Sequence, residues 1–192
     1  MAKRSPPSPP RLRVAIITSR YNPSVTEALR EGAVEEFVER GGHVRDLVHI
    51  DAPGAYELPV LALAAAMSDR VHAVVALGCI VRGETRHDRY IADAVAQGLM
   101  SVSLRTGLPV GLGVLTTENA KQARDRAGGK HGNKGREAMA ATLDAIQGVA
   151  ALLGGSDRFE IATRHDKVAK AEAKPSTPRK SKPSVTHGTR SR

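Results

Sequence analysis

Short apolar, β-branched runs alternate along this chain with longer segments whose apolar residues recur every three or four positions. The first run, "RVAIITS" (13–19), reads as a strand. In the segment after it, "NPSVTEALREGAVEEFVERGG", residues Val25, Ala28, Leu29, Gly32, Ala33 and Phe37 share one helical face. Ser24 and Glu27 make a candidate capping box there, and Gly41 with Gly42 a stop. "HVRDLVHI" (43–50) predicts a second strand with "DAPGAYELP" as its exit loop, followed by a helix over 57–69. The third run, "VHAVVALGCIV" (71–81), is apolar almost throughout, as a strand buried on both faces must be, and marks the centre of the sheet. A helix over 85–106, a fourth strand "PVGLGVLTT" (109–117), a short helix over 118–127 and a last helix ending near Leu153 complete the pattern. No internal repeat occurs.

Four strands alternating with helices predict a parallel sheet joined by right-handed crossovers, hence a three-layer α/β/α sandwich. Such sheets bind ligands beyond the carboxyl ends of their strands. Those ends read "SRYN", "APGAYE", "VRGETRH" and "LTTEN", and the first three hold most of the polar and aromatic residues that the core does not explain.

Composition narrows the picture. The 192 residues, 41% apolar, suit one domain, and an aromatic content of 3% without Trp leaves the core to Ala, Val, Leu and Ile. A single cysteine, Cys79, excludes an internal disulfide and a Cys-rich metal site, and fits a reducing compartment. No His, Cys or carboxylate cluster has metal-ligand spacing. Without a membrane-length apolar run or a secretion signal, the expected location is the cytoplasm. The net charge of +9 is unevenly placed: residues 1–13 carry +4 and residues 155–192 carry +6, leaving −1 for 14–154. The expected organisation is therefore a folded domain over 13–154 between basic segments at 1–12 and 155–192, too poor in apolar residues to order themselves. Charge alone would let the tail touch RNA, acidic partners or membranes. A solubilising role is preferred, so neither a nucleic acid nor a membrane is expected as partner.

The strand ends carry the candidate chemistry. In "GETRHDRY" (83–90), Thr85 and Asp88 could form a capping box; equally, Gly83 and the free N–H groups of a helix start could seat an anion. His87 falls in the first helical turn, where the dipole disfavours an imidazolium. Local chemistry leaves it first as a surface histidine and second as a neutral general base. Glu57 could accept hydrogen bonds from ligand hydroxyls or simply complement a helix start. Tyr21 could stack on a flat heterocycle or pack over the sheet edge. "RAGGKHGNKGRE" (126–137) lacks the order of a P-loop; Arg126 could grip one phosphate, but a solvated turn also accounts for it. Cys79 reads as an inert core thiol, Met67, Met100 and Met139 as packing, and no G-x-S-x-G elbow is present.

Taken together, "YNPSVTEALREGA", "APGAYELP", "ALGCIVRGETRHDRY" and "GLPVGLGVLTTENAKQARDRAGGKHGNKGREA" resemble the lumazine synthases in order and spacing, over roughly residues 13–153. The resemblance implies a flavodoxin-like fold and a transferase of riboflavin biosynthesis. Its reaction condenses 5-amino-6-(D-ribitylamino)uracil with 3,4-dihydroxy-2-butanone 4-phosphate to 6,7-dimethyl-8-ribityllumazine, phosphate and water, without a cofactor. It further implies that Tyr21 stacks on the pyrimidine, that Ala55, Tyr56 and Glu57 line the ribityl side, and that Cys79, Ile80 and Val81 border the ring. Glu84, Thr85, Arg126 and Lys134 would hold the phosphate and His87 would move protons. Leu112 stands where the family commonly has an aromatic supplied by a neighbouring subunit, which implies weaker stacking. The family also implies a homopentamer with sites at its interfaces, alone, paired as a decamer or assembled into sixty subunits, and product handover to riboflavin synthase. The compact "GGKHGNKG" turn permits a capsid, while Pro6, Pro7, Pro9 and Pro10 oppose an added N-terminal strand. Leu112 and the tail also motivate two other readings, a non-catalytic flavin- or lumazine-binding paralogue and an RNA-binding tail.

Overall fold

The computed structural model describes residues 11–153. The basic segments expected at either end lie outside the described residues, apart from Arg11 and Leu12; Leu12 is buried in the core. The described chain runs β1 (Val14–Ser19), α1 (Pro23–Glu39), β2 (Leu47–Ala52), α2 (Leu58–Ala66), β3 (Ala73–Val81), α3 (His87–Thr106), β4 (Val110–Thr117), α4 (Ala120–Asp125), β5 (Ala127–Gly129), β6 (Gly132–Asn133) and α5 (Lys134–Leu152). The first four strands form one all-parallel sheet in the order β2-β1-β3-β4.

The two strands with the most continuous apolar runs take the centre. β1 is buried at all its positions and β3 at all but Val81, whereas β2 and β4 alternate as edge strands do. Alternate residues then feed two cores. Val14, Ile16, Val75 and Leu77 meet Leu29, Phe37, Met139 and Leu143 beneath α1 and α5. Ala15, Ile17, Val74 and Ala76 meet Leu58, Ala62, Val95 and Leu99 beneath α2 and α3. These are the three layers the pattern predicts, and the flavodoxin-like α/β class follows from them.

Several expected boundaries shift. The second strand begins at Leu47, not His43, because Val44–Asp46 close a single 3-10 turn in which Asp46 N–H donates to the His43 carbonyl. The Ser24–Glu27 capping box does not form: Asn22 is the N-cap of α1, and Pro23 fits the first turn, where no N–H is needed. Nor does the Thr85–Asp88 box form. α3 starts at His87 with Arg86 as its N-cap and no side-chain cap, so the Thr85 hydroxyl lies one residue too early to reach the orphan N–H groups.

The stretch "GGKHGNKG", expected as a solvated turn, is built. Its glycines, with Gly128 at φ 110 and Gly132 at φ 75, close the small antiparallel ribbon β5–β6. Asn133 then caps α5, accepting from the N–H groups of Gly135 and Arg136 at 2.9 and 3.2 Å, while its Nδ2 donates to the Ala28 carbonyl at 2.7 Å. Gly32 leaves room for the Asn133 side chain, and Gly135 lies against the Leu29 carbonyl where a Cβ would collide.

Ion pairs fasten the same two helices. Arg136 donates to Glu35, Glu36 and Glu39 of α1 at 2.9, 3.0 and 2.9 Å, and its hydrogen bonds to Glu39 and Glu35 raise its pKa. Arg40 is fully buried between Glu36 and Asp144; burial opposes its charge, but the two carboxylates outweigh that and raise its pKa. Among the described residues no helix is long and apolar enough to cross a membrane.

Candidate active site

In the order β2-β1-β3-β4 the direction of winding reverses between β1 and β3, and a crevice opens beyond their carboxyl ends. A cavity of about 480 Å³ lies there, walled by Tyr21, Asn22, Gly54, Ala55, Tyr56, Glu57, and by Cys79–Val81, Gly83, Thr85, His87, Asp88 and Ile91. Nine of the sequence-predicted site residues meet in it: Tyr21, Ala55, Tyr56, Glu57, Cys79, Ile80, Val81, Thr85 and His87.

Each side chain is placed by the element that ends beneath it. Tyr21 leaves β1 with 69% of its surface exposed, and Tyr56 with 64%, so two aromatic rings face open space beside an apolar ledge. The ring of Tyr21 and the carboxylate of Glu57 both reach Gly54: a Cβ there would stand 3.3 Å from Tyr21 Cε2 and 3.0 Å from Glu57 Oε2. Gly54 thus lets the two come together. Glu57 is the N-cap residue of α2 but makes no capping bond, which leaves its carboxylate for a ligand. The floor is the end of β3, where Cys79 is buried and its thiol is pushed up to about 11 by desolvation, an inert group as expected. Beyond it the chain turns through Gly83 and Thr85 into α3, whose first residue, His87, stands exposed on the cavity wall. With the capping role of Thr85 gone, its place beside Gly83 at the start of α3 favours a ligand-facing hydroxyl over a local one.

Four expected site residues do not line this cavity. Glu84 is exposed in the loop between Gly83 and Thr85. Leu112 is 54% exposed on β4 and lies with Lys134, Pro109, Ala138 and Ala141 in a second groove of about 410 Å³. Lys134 pairs with Glu137 at 2.6 Å, and its N–H donates to the Arg126 carbonyl at 2.8 Å. Arg126 Nη1 donates to the Gln122 carbonyl at 3.1 Å. Leu112, Arg126 and Lys134 therefore gather apart from Tyr21, Glu57 and His87 in the single chain.

Gly54 and Ile91 were not singled out by the sequence. Ile91 carried a usable signal, since it lies four residues after His87 and so on the same helical face. Gly54 had only its place in a strand-exit loop. Among the described residues no group of His, Cys, Asp or Glu is placed to hold a metal ion.

The arrangement suits a flat, hydroxyl-bearing ligand held between an aromatic ring and a backbone ledge, with a carboxylate at one end and an imidazole at the other. The sequence matches a family described as 6,7-dimethyl-8-ribityllumazine synthase over residues 11–149. It is 46% identical over 138 residues to the protein of that name from Xanthomonas oryzae pv. oryzae, covering 72% of this chain and 90% of the relative. The namesake from Deinococcus deserti is 44% identical over 135 residues, covering 70% and 86%. That from Xylella fastidiosa is 44% identical over 134 residues, covering 70% and 87%.

Proposed function

The chain belongs to the 6,7-dimethyl-8-ribityllumazine synthase family, and from that premise we propose that the crevice between β1 and β3 is where it carries out the family's condensation. The enzyme is a transferase of riboflavin biosynthesis. It joins 5-amino-6-(D-ribitylamino)uracil to 3,4-dihydroxy-2-butanone 4-phosphate, releasing phosphate and water, one water from each new bond between carbon and nitrogen.

The observation that carries the assignment of the site is the meeting of Tyr21, Glu57, the Cys79–Val81 ledge, Thr85 and His87 in one cavity. Tyr21 stacks on the pyrimidine, the backbone of Cys79, Ile80 and Val81 borders its edge, and Ala55, Tyr56 and Glu57 receive the ribityl chain, with the Glu57 carboxylate accepting from its hydroxyls. The ketone substrate lies nearer α3, its phosphate against Glu84 and Thr85 where N–H groups stand free.

The pyrimidine amine attacks the ketone carbonyl and loses water to an imine. Proton removal from the adjacent carbon expels phosphate, and the ribitylamino nitrogen then closes the ring with loss of the second water. Each step moves a proton, and His87 is the imidazole at the cavity wall, a group able to accept a proton at one step and return it at the next. Holding two reactants in register supplies much of the remaining rate.

The separation of Leu112, Arg126 and Lys134 from that cavity supports a site completed between subunits, in which this second group of one copy faces the first group of the next. A head-to-tail contact of that kind closes into a ring, and we take the ring to be a pentamer. Arg126 and Lys134 then supply cationic partners for the phosphate, and Leu112 covers the pyrimidine with aliphatic surface. We place the enzyme in the cytoplasm, passing its product to riboflavin synthase. The test is the appearance of lumazine fluorescence when the purified chain meets both substrates. Tight flavin binding without turnover would select the non-catalytic paralogue instead.

A further inference from the structure

Asn22, at the turn from β1 into α1, is an unusual helix cap in two ways. Its backbone is left-handed, φ 56 and ψ 54, a conformation it shares with only one other non-glycine residue among those described, Asp69. Its side chain also forgoes the capping bond that asparagine makes so readily. Nδ2 donates instead to the carbonyl of Cys79, 2.9 Å away on β3. The backbone carbonyl of Asn22 holds the helix, accepting from the N–H groups of Val25 and Thr26 at 2.9 and 3.1 Å. The residue is thereby anchored on one side to the start of α1 and on the other to the central strand, and it lines the cavity between Tyr21 and the Cys79 ledge.

Those two walls are the ones a flat ring must fit between. One is a side chain at the end of β1 with 69% of its surface exposed. The other is backbone at the end of β3. Beyond the last β1–β3 pair in register, Thr18 and Leu77, the Asn22 amide makes a side-chain hydrogen bond that crosses from one strand exit to the other. The left-handed turn lets α1 depart within one residue and leaves Tyr21 at the mouth of the crevice.

We propose, on the strength of the function above, that Asn22 is a positioning residue for the pyrimidine half of the site: its left-handed turn and its bond to Cys79 together set the gap between the Tyr21 ring and the β3 ledge. It acts through Tyr21 and the strand backbone.

Three variants separate the turn from the tie. Asn22→Gly keeps the left-handed backbone and deletes the bond. Asn22→Asp keeps the size but sets an acceptor against the Cys79 carbonyl. Asn22→Ala loses both features. In steady-state kinetics Asn22→Gly is expected to raise KM for the pyrimidine about tenfold, the worth of one such hydrogen bond, leaving kcat and KM for the butanone phosphate within about threefold. Asn22→Asp and Asn22→Ala should do worse than Asn22→Gly. Equilibrium titration with 6,7-dimethyl-8-ribityllumazine, read by its fluorescence, should show the same rise in Kd. Unchanged KM and Kd in Asn22→Gly overturn the proposal, and so does a parallel rise in KM for both substrates accompanied by a lower urea midpoint, the mark of a merely structural role. Should the wild type show no turnover, the reading of function falls, while the lumazine titration still decides the role of Asn22.

Discussion

His87 stands exposed on the cavity wall at the first position of α3, so its replacement removes the proposed proton carrier without opening the core. His87→Ala is expected to lower kcat by about 10²- to 10⁴-fold, while the Kd for the pyrimidine changes by less than about threefold; single-turnover kinetics separates the two. At Leu112 the expectation runs the other way. An aromatic pair is worth about 0.5–1.5 kcal/mol beyond its area, so Leu112→Phe should tighten pyrimidine binding roughly 2- to 10-fold in a titration. Cys79 is as inert as its apolar strand suggested: with its thiol near 11, about one in a thousand is ionised at pH 8, and iodoacetamide should label it slowly until urea exposes it. At this scale residue types and strand ends were legible in the sequence, but reach was not. Thr85 read equally as a cap and as part of an anion seat, because a helix start one residue earlier would have made it the N-cap, and only the observed start at His87 removes that role.

The elements tell a similar story about what alternation can and cannot encode. The apolar runs of β1 and β3 announce burial on both faces, and they take the centre of the sheet. The first residues of "HVRDLVHI" alternate like a strand yet close a 3-10 turn, since apolar spacing over so few residues does not distinguish the two. "GNKG" was opaque for a further reason. Its value lies in fits between distant helices: Asn133 beside Gly32, and Gly135 against Leu29. Asn133→Ala should therefore cost about 2 kcal/mol through the lost cap and the lost bond to Ala28, and Gly135→Ala about 3 kcal/mol through collision with immovable backbone; urea unfolding measures both. At the other end of β1, His72 Nδ1 accepts the Arg13 N–H at 2.9 Å, and burial, with the Arg13 charge as a lesser contribution, lowers its pKa. The folded value lies below the unfolded one of about 6.5, so the unfolded chain takes up the proton first as pH falls. Stability should be full above that value and decline below it. The decline between pH 7 and pH 5 should be shallower in His72→Asn, whose amide oxygen can still accept from Arg13.

For the whole molecule the three layers and the crevice were legible, because the alternation of strands and helices leaves few ways to bury both faces of a parallel sheet. The division of the predicted site was not. Tyr21, Glu57 and His87 share one cavity, whereas Leu112 and Lys134 share another groove, a separation invisible without coordinates. The ring of subunits proposed above would reunite them, and light-scattering mass should then show five copies. It also predicts complementation: His87→Ala and Arg126→Ala, each nearly inactive, should regain activity when refolded together, since about a quarter of randomly formed interfaces would pair two intact halves. Mixing that restores nothing would place both residues in one subunit's site. The most direct test of the function remains the rate at which the purified wild-type chain forms 6,7-dimethyl-8-ribityllumazine from its two substrates, followed by fluorescence beside an enzyme-free mixture and beside His87→Ala. Turnover well above the uncatalysed rate in the wild type, and about 10²-fold or more below it in the variant, is the predicted result; a wild type no faster than the enzyme-free mixture would contradict the account.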